Sequence, residues 1–282
     1  MNKMNMRITL RGALFLSLLC IVSFSAKAQF DFPATGARSA AMGGATAGLD
    51  DFWSATDNIA GTAFLKHSSA GLSYQQNHFV KELPYLNIAG NLLIGKNGAA
   101  LLHYTYHGTA QYNEQQASGG YAMKVTPKMS LGVTVNYLHS GCNDPHYDPQ
   151  NHLTCALGVQ YRPSERCIIG AKVFNPLFLK SGNELVTDHL PVVFNVGIGY
   201  QLTTNCIGTV EIEKNIYQKP MLRVGAEYRF LEMLYCRAGF ITQSNCYGLG
   251  LGIHHKHLHA DIAAQMHPVL GLSPVLSVIF DK

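Results

Sequence analysis

The stretch Asn151-His152-Leu153-Thr154-Cys155-Ala156-Leu157-Gly158-Val159-Gln160-Tyr161 decides the fold. Its odd positions carry Leu153, Cys155, Leu157, Val159 and Tyr161 after Asn151; its even positions carry His152, Thr154, Ala156, Gly158 and Gln160. Successive side chains of a strand point to opposite faces. This segment therefore has one apolar face and one small or polar face. In a soluble sandwich the apolar face would cover a core. In a membrane barrel it faces lipid and the polar face lines the lumen.

What precedes the strands favours the barrel. Lys3, Arg7 and Arg11 form a basic start, Ala13 to Phe24 an apolar run, and Ala26-Lys27-Ala28 a small-x-small site. This pattern predicts a secretory signal over 1–28, cleaved after Ala28. Leu18 and Leu19 precede Cys20 where a lipobox needs small residues, so lipidation is not expected there. The whole chain has 21 Lys and Arg against 17 Asp and Glu, and four of the basic residues (Lys3, Arg7, Arg11, Lys27) lie in the signal, leaving 17 against 17. The apparent basicity belongs to the signal, and no nucleic-acid partner is expected. Charged residues are 13% of the chain, against roughly 25% in soluble domains. No apolar run after residue 28 is long enough for a spanning helix, which needs about 20 residues. Low charge without spanning helices is the composition of a barrel.

Residues 29–67 differ from the rest. Gly, Ala, Ser and Thr dominate, alternation is absent, and the single Trp, Trp53, is here. This segment is expected to fold into or cap the lumen as a plug; the alternative is a loose tail. Gly36, Gly43 and Gly44 point to backbone packed closely or bent at positive φ, and Asn58 to a local turn; with Arg38 they are the candidate plug residues. Residues 68–282 then read as an all-β, transmembrane antiparallel barrel of about fourteen strands. They are expected near 69–79, 84–94, 98–108, 115–125, 128–139, 151–162, 166–174, 191–202, 205–214, 218–230, 233–242, 245–255, 257–266 and 273–281. Connection lengths supply a second signal. The gaps 140–150 and 175–190 follow odd strands, whereas Thr126-Pro127, Pro163-Ser164-Glu165, Thr203-Thr204 and Leu231-Glu232 follow even ones. Bacterial barrels pair long outer loops with short periplasmic turns, so both termini are expected in the periplasm. The last strand puts Leu276, Val278 and Phe280 on one face and is expected to close on the first.

Parity also sorts the side chains. Cys155, Cys167, Cys206 and Cys236 fall on apolar faces and read as small lipid-facing residues, Cys246 on a polar face, and Cys142 in a loop. No Cys-x-x-Cys occurs, and neither metal nor cofactor is expected. The lumen-facing set contains Lys172, Glu211, Glu213, Arg223, Glu227, Arg229, Arg237, His259 and Asp261. Glu211 and Glu213 lie on the strand beside Arg223, and Glu227 on the strand beside Arg237, and opposite charges on adjacent strands can pair. The set reads as a charge-balanced network that fills the lumen and holds the plug, or as a lined path for an anionic or amphipathic ligand. His254, His255, His257 and His259 surround an expected turn near His255-Lys256, which sends them in different directions; metal binding is the alternative. No nucleophile motif accompanies His259 and Asp261, so no catalytic residue is assigned. The glycines at 248, 250 and 252 alternate on a strand and are expected to relieve crowding in the wall.

Three stretches carry a family resemblance. Gly36-Ala37-Arg38-Ser39-Ala40-Ala41-Met42-Gly43-Gly44-Ala45 is followed by Asp50-Asp51 and Asn58-Ile59-Ala60-Gly61. Val173-Phe174-Asn175-Pro176 closes a strand. Gly225-Ala226-Glu227-Tyr228-Arg229 is followed by Arg237-Ala238-Gly239-Phe240 and Gly248-Leu249-Gly250-Leu251-Gly252. Together they resemble the PorV/PorQ-like proteins of Bacteroidota, within the FadL-like barrel superfamily. Asn58-Ile59-Ala60 lacks the family's proline, and the mature chain is short for the family. The resemblance implies a fourteen-stranded barrel with an N-terminal plug in the Gram-negative outer membrane, in contact with outer-membrane lipid. It implies a non-enzymatic accessory or scaffold in protein secretion or surface export of the type IX kind, partnered by a secretion-system or surface-exported protein. The alternative is a FadL-like channel for small hydrophobic molecules. Leu177, Phe178 and Leu179, in the loop Phe174 to His189, are the candidate loop contacts for either role.

The expected topology is checked by labelling intact cells with a membrane-impermeant thiol reagent, in a background lacking Cys142. Reporter cysteines at Asp144 and Gly182 should react from outside, and one at Ser164 should not. Reaction at Ser164 would reverse the topology.

Overall fold

The computed structural model describes residues 32–144, 148–177 and 190–282. The expected signal 1–28, with its cleavage after Ala28, and the loop residues Phe178 and Leu179 lie outside the described residues. Fourteen strands form one closed antiparallel barrel in which each strand pairs with its sequence neighbours and the last pairs with the first. They are β1 Ser69–Gln76, β2 Pro84–Ile94, β3 Gly98–Gly108, β4 Tyr112–Thr126, β5 Met129–Cys142, β6 Gln150–Ser164 and β7 Cys167–Phe174. Then come β8 Val193–Thr203, β9 Cys206–Asn215, β10 Met221–Arg229, β11 Leu234–Ile241, β12 Cys246–His255, β13 Leu258–His267 and β14 Gly271–Asp281. The alternating pattern survives into these elements because each strand has lipid on one side and a packed lumen on the other. Closure leaves no unpaired edge, which a hydrocarbon environment requires.

The outward register is apolar around the whole circumference. Leu102 on β3, Leu153 on β6, Ile198 on β8, Leu249 on β12 and Ile262 on β13 all project large exposed side chains. An apolar band of that extent cannot be left in water by a soluble monomer. Tyr74, Tyr106, Tyr112, Tyr137 and Tyr247 stand toward the end bearing the long connections, and Tyr161, Tyr200, Tyr228 and Phe280 toward the end with tight turns. Aromatic girdles at both edges of an apolar band are the signature of a membrane barrel. Outward too are Cys155, Cys167, Cys206 and Cys236, and all six described cysteines are free thiols.

Inside the barrel lies the segment after Phe32. It forms a short helix α1 (Ala37–Ala41), a second helix α2 (Phe52–Asp57) and a 3-10 helix (Ile59–Phe64). α1 packs on β11 to β14 and the 3-10 helix on β3 to β6, so the segment crosses the lumen. It approaches the wall with its backbone. A Cβ on Gly170 would stand 1.7 Å from the Ala47 carbonyl oxygen, one on Gly199 2.0 Å from that of Gly48, and one on Gly239 2.2 Å from the Gly43 nitrogen. The sequence assigned the glycines at 248, 250 and 252 to crowding within the wall. The structure gives Gly248 and Gly250 another neighbour, since added Cβ atoms there would strike Ala40 and Ala41 of α1.

Gly199→Val tests this contact. Valine suits a strand, so the barrel should still form, while the inner segment loses its seat at a cost of about 2 kcal/mol. The single Trp, Trp53, is fully buried and reports the loss. Its emission should shift to the red at unchanged barrel content by circular dichroism. An unshifted emission maximum would show that the segment is not seated on this wall.

Candidate functional site

The inner segment has too little regular structure to satisfy its own backbone, and buried N–H and C=O groups need partners. Inward side chains of the wall supply them. Ser277 Oγ accepts from the Ala37 N–H at 3.1 Å, and Gln265 Nε2 donates to the Ala40 carbonyl at 3.1 Å. Thr209 donates to the Ala45 carbonyl at 2.9 Å, Gln160 to Leu49 at 2.7 Å and Ser130 to Ala60 at 2.8 Å. Glu211 Oε2 accepts from both the Thr46 and Ala47 N–H groups, at 2.8 and 2.7 Å. These wall residues belong to five different strands, so the segment is tied around the barrel rather than to one side.

An ionic chain adds a second set of ties. Arg38, on α1, meets Glu227 of β10 through two hydrogen bonds of 2.8 and 2.9 Å and also donates to Asp51. Burial opposes the Arg38 charge, but Asp51 and Glu227 more than offset it and hold the guanidinium above its ordinary pKa. Arg237 of β11 donates to Glu227 at 2.5 Å and to Asp261 of β13 at 2.6 Å. His254 Nε2 lies 3.2 Å from the same Asp261 oxygen, and its ring stacks on His259 with centroids 4.3 Å apart. Beside this chain, Arg223 of β10 meets Glu213 at 2.9 Å and donates to the Gly44 carbonyl at 3.1 Å. Asn195 bridges Glu211 and Glu213 at 2.7 and 2.9 Å. Bidentate guanidinium–carboxylate geometry suits such buried positions.

Of the lumen-facing set, Glu211, Glu213, Arg223, Glu227, Arg237 and Asp261 occupy one wall from β9 to β13, and three of them touch the inner segment directly; Lys172 lies on β7, Arg229 is exposed at the tight-turn end of β10, and His259 stacks on His254. Gly36, Gly43 and Gly44 adopt φ of 87°, 66° and 71°, with Gly36 against the Trp53 ring. Asn58 caps the 3-10 helix, its Oδ1 accepting from Ala60 N–H, and its Nδ2 donates to the Val159 carbonyl of β6. The turn thus forms with Ile59 at the position of the family's proline. Sequence reasoning did not find Arg38 as the partner of Glu227, nor Thr209, Gln160 and Ser130 as carbonyl donors. Parity places such side chains inward, but only the path of the inner segment says what they meet. Leu177 is exposed. Among the described residues no group of three or more His, Cys, Asp or Glu is placed to hold a metal ion.

A hollow of about 520 Å3 lies against β11 to β14. Outward side chains line it: Cys236, Leu249, Leu251, Ile262, Ala264 and Leu276. Gly250, Ala263 and Val275 form its floor. On the inner side of that floor, Ala37, Ala40 and Ala41 of α1 pack with Ala263 and Val275. The outer face here is apolar; on the inner face Ala263 and Val275 are apolar, with Arg237, Asp261, Gln265 and Ser277 around them.

The fold is shared with known barrels. The structure is similar to that of a Pseudomonas aeruginosa FadL homologue, with a TM-score of 0.68 at 11% identity over 89% of this chain and 99% of that one. It is similar also to the Pseudomonas putida toluene transporter TodX, with a TM-score of 0.65 at 12% identity over 90% and 99% of the two chains. No protein-family model and no curated protein matches the chain. The likeness establishes a FadL-like fourteen-stranded barrel.

Glu227→Gln tests the ionic tie. It leaves Arg38 and Arg237 buried with one carboxylate fewer, and removing one partner of such a group costs about 3–5 kcal/mol. The midpoint of the Trp53 emission change in denaturant should fall accordingly. Combined with Arg38→Met, the loss should be smaller than the sum of the two singles by about 1 kcal/mol or more. Strict additivity would show that the pair is not coupled.

Proposed function

We propose that this chain is a non-enzymatic barrel of the Gram-negative outer membrane that admits small hydrophobic molecules, with residues 34–65 as its plug. The observation that carries the proposal is the apolar hollow on the outer side of β11 to β14. A hollow in the lipid-facing side has Gly250 and Ala263 as its floor, and the alanines of α1 stand behind them. Apolar molecules dissolved in the bilayer collect in such a hollow. Displacement of α1 then exposes Ala263 and Val275 on the inner side, beside the polar Gln265 and Ser277. The shared fold of a toluene transporter and a FadL homologue supports this reading. A second reading, an accessory in protein secretion or surface export, draws on the Gly36–Ala45 block and on the polar, closely packed lumen. It needs a protein partner rather than a permeant.

Filling the hollow separates the two. Ala264→Trp adds bulk on the lipid face without touching the ionic chain. Cells carrying the wild-type barrel should take up radiolabelled toluene or oleate faster than cells without it, and the variant should lose most of that gain. Uptake by the wild type no faster than by barrel-free cells would overturn the proposal. A stoichiometric protein co-purifying without any apolar ligand would then favour the export reading.

A further inference from the structure

The two ends of the barrel differ in charge. At the tight-turn end, Lys66 follows the inner segment, Lys96 sits in the β2–β3 turn, Lys124 and Lys128 flank the β4–β5 turn, and Arg162 and Arg166 flank the β6–β7 turn. Asp50 and Glu165 are the carboxylates beside these turns; elsewhere around the same end Glu232 and Asp281 stand with Arg229, Lys256 and Lys282. The other end carries Lys81, Lys214 and Lys219 against Glu82, Glu114, Asp144 and Asp148 among the described residues. The three basic turns form one surface. The Lys124 N–H donates to the Asn97 carbonyl, the Arg162 N–H to that of Lys128, and Lys128 Nζ reaches the Pro163 carbonyl at 3.4 Å.

Two features give this surface a ligand preference. Its centre lies at the barrel mouth, not on the lipid-facing rim: Arg162 and Lys124 follow the inward register and stand over the Phe64 ring at 3.7 and 5.3 Å. The surface already holds one carboxylate, since Arg162 Nη2 donates to Asp50 at 2.7 Å. Among the described residues no carboxylate pairs with Lys66, Lys96, Lys124, Lys128 or Arg166. Lys66, Lys96, Lys128 and Arg166 are exposed. Clustered like charges cost self-repulsion that a polyanionic partner relieves, and complementary charge steers its approach.

We propose that this mouth is the docking site of an acidic, carboxylate-rich segment of a periplasmic protein. The turn tips around Lys96, Lys128 and Arg166 capture the segment, and Phe64, held under Arg162, forms the apolar centre of the contact. Lipid headgroups reach only the outer rim of a barrel end, whereas Lys124, Arg162 and Phe64 face the mouth. The inference rests on the outer-membrane placement, in which the tight turns face the periplasm, and it holds for either permeant or export function.

The test uses the full-length mature chain in nanodiscs of zwitterionic lipid, with a fluorescein-labelled oligoglutamate peptide as probe and anisotropy as readout. The wild type should bind the probe, with affinity falling as salt rises. Lys96→Glu/Lys128→Glu/Arg166→Glu should weaken binding about tenfold or more. Lys81→Glu/Lys214→Glu/Lys219→Glu, the same charge change at the opposite end, should leave it within about twofold. These are turn and loop-end positions, and heat-modifiable migration on gels checks that each barrel is folded. Equal losses in the two triple variants, or no binding by the wild type, would overturn the proposal. So would the lipid outcome, in which the wild type selectively retains anionic phospholipid from mixed bilayers, the first triple variant loses it, and probe binding is the same in both. Failure of the outer-membrane placement shows separately, as thiol labelling of Ser164→Cys from outside the cell.

Discussion

Everything inside this barrel depends on backbone meeting backbone across a wall that has no side chain at the point of contact. The inner segment is not a helix laid on a smooth surface. Its turns at Met42 to Gly44 and Ala47 to Gly48 press their peptide groups onto Gly225, Gly239, Gly170 and Gly199. At that distance there is no room for a methyl group, so the wall must present glycine in register on several strands. Contact this close also excludes water from the peptide groups, and each then needs a protein partner. The inward Ser130, Gln160, Thr209, Glu211, Gln265 and Ser277 are the answer to that second demand. Glycine and short polar residues alternate along the inner face because one lets the backbone approach and the other satisfies it.

The ionic chain has a different physical role. Burying Arg38, Arg237, Glu227 and Asp261 together contributes little net stability, because desolvation offsets most of the attraction. What it supplies is directionality. Two guanidinium planes and the carboxylates between them accept only one placement of α1 relative to β10, β11 and β13. An apolar helix of alanines could slide along an apolar wall at little cost; a bidentate pair cannot. The small apolar positions beside this chain, Gly250, Ala263 and Val275, thereby keep a fixed relation to α1. Permeation by the route proposed here must break these bonds or bend around them, which places the energetic barrier at Arg38 rather than in the wall.

The fold was legible in the sequence because each strand has two different solvents. Asn151 to Tyr161 reads correctly in isolation, and β6 runs Gln150–Ser164 with the expected faces. The alternation of tight and long connections fixed the number of strands. Strand ends were less legible: β1 stops at Gln76 and not at 79, because His78 and Phe79 turn to positive φ and the His78 N–H takes Ser273 as its partner. The site was legible one residue at a time. Parity put Glu211, Arg223, Glu227 and Arg237 in the lumen, and adjacency paired Arg223 with Glu213 and Arg237 with Glu227. It could not pair Arg38 with Glu227, because their separation along the chain is 189 residues and no local pattern records it. The inner glycines were visible in the sequence, but the reason for them was not. A glycine that accommodates a neighbouring strand and one that accommodates an inner segment look alike.

The placement of α2 carries this further. Phe52 and Trp53 pack with Ala89 of β2 and Ile279 of β14, and both rings lie within reach of a Cβ on Gly71 of β1. β1 and β14 form the seam where the sheet closes, from Ser69 opposite Asp281 to Gln75 opposite Val275. The aromatic pair therefore sits directly behind the seam, touching the strand on each side of it. α1 is tied to the same region through Ser277 of β14, 240 residues away in sequence. Contacts of such separation bear the full cost of chain closure before they return any energy. They span the two strands of the seam, so the seating of the inner segment and the pairing of β14 with β1 are coupled. The free energy of seating the inner segment then falls on the seam, the one strand pair that no hairpin turn holds together. Inner segment and seam stabilise each other, and a change that frees one weakens the other.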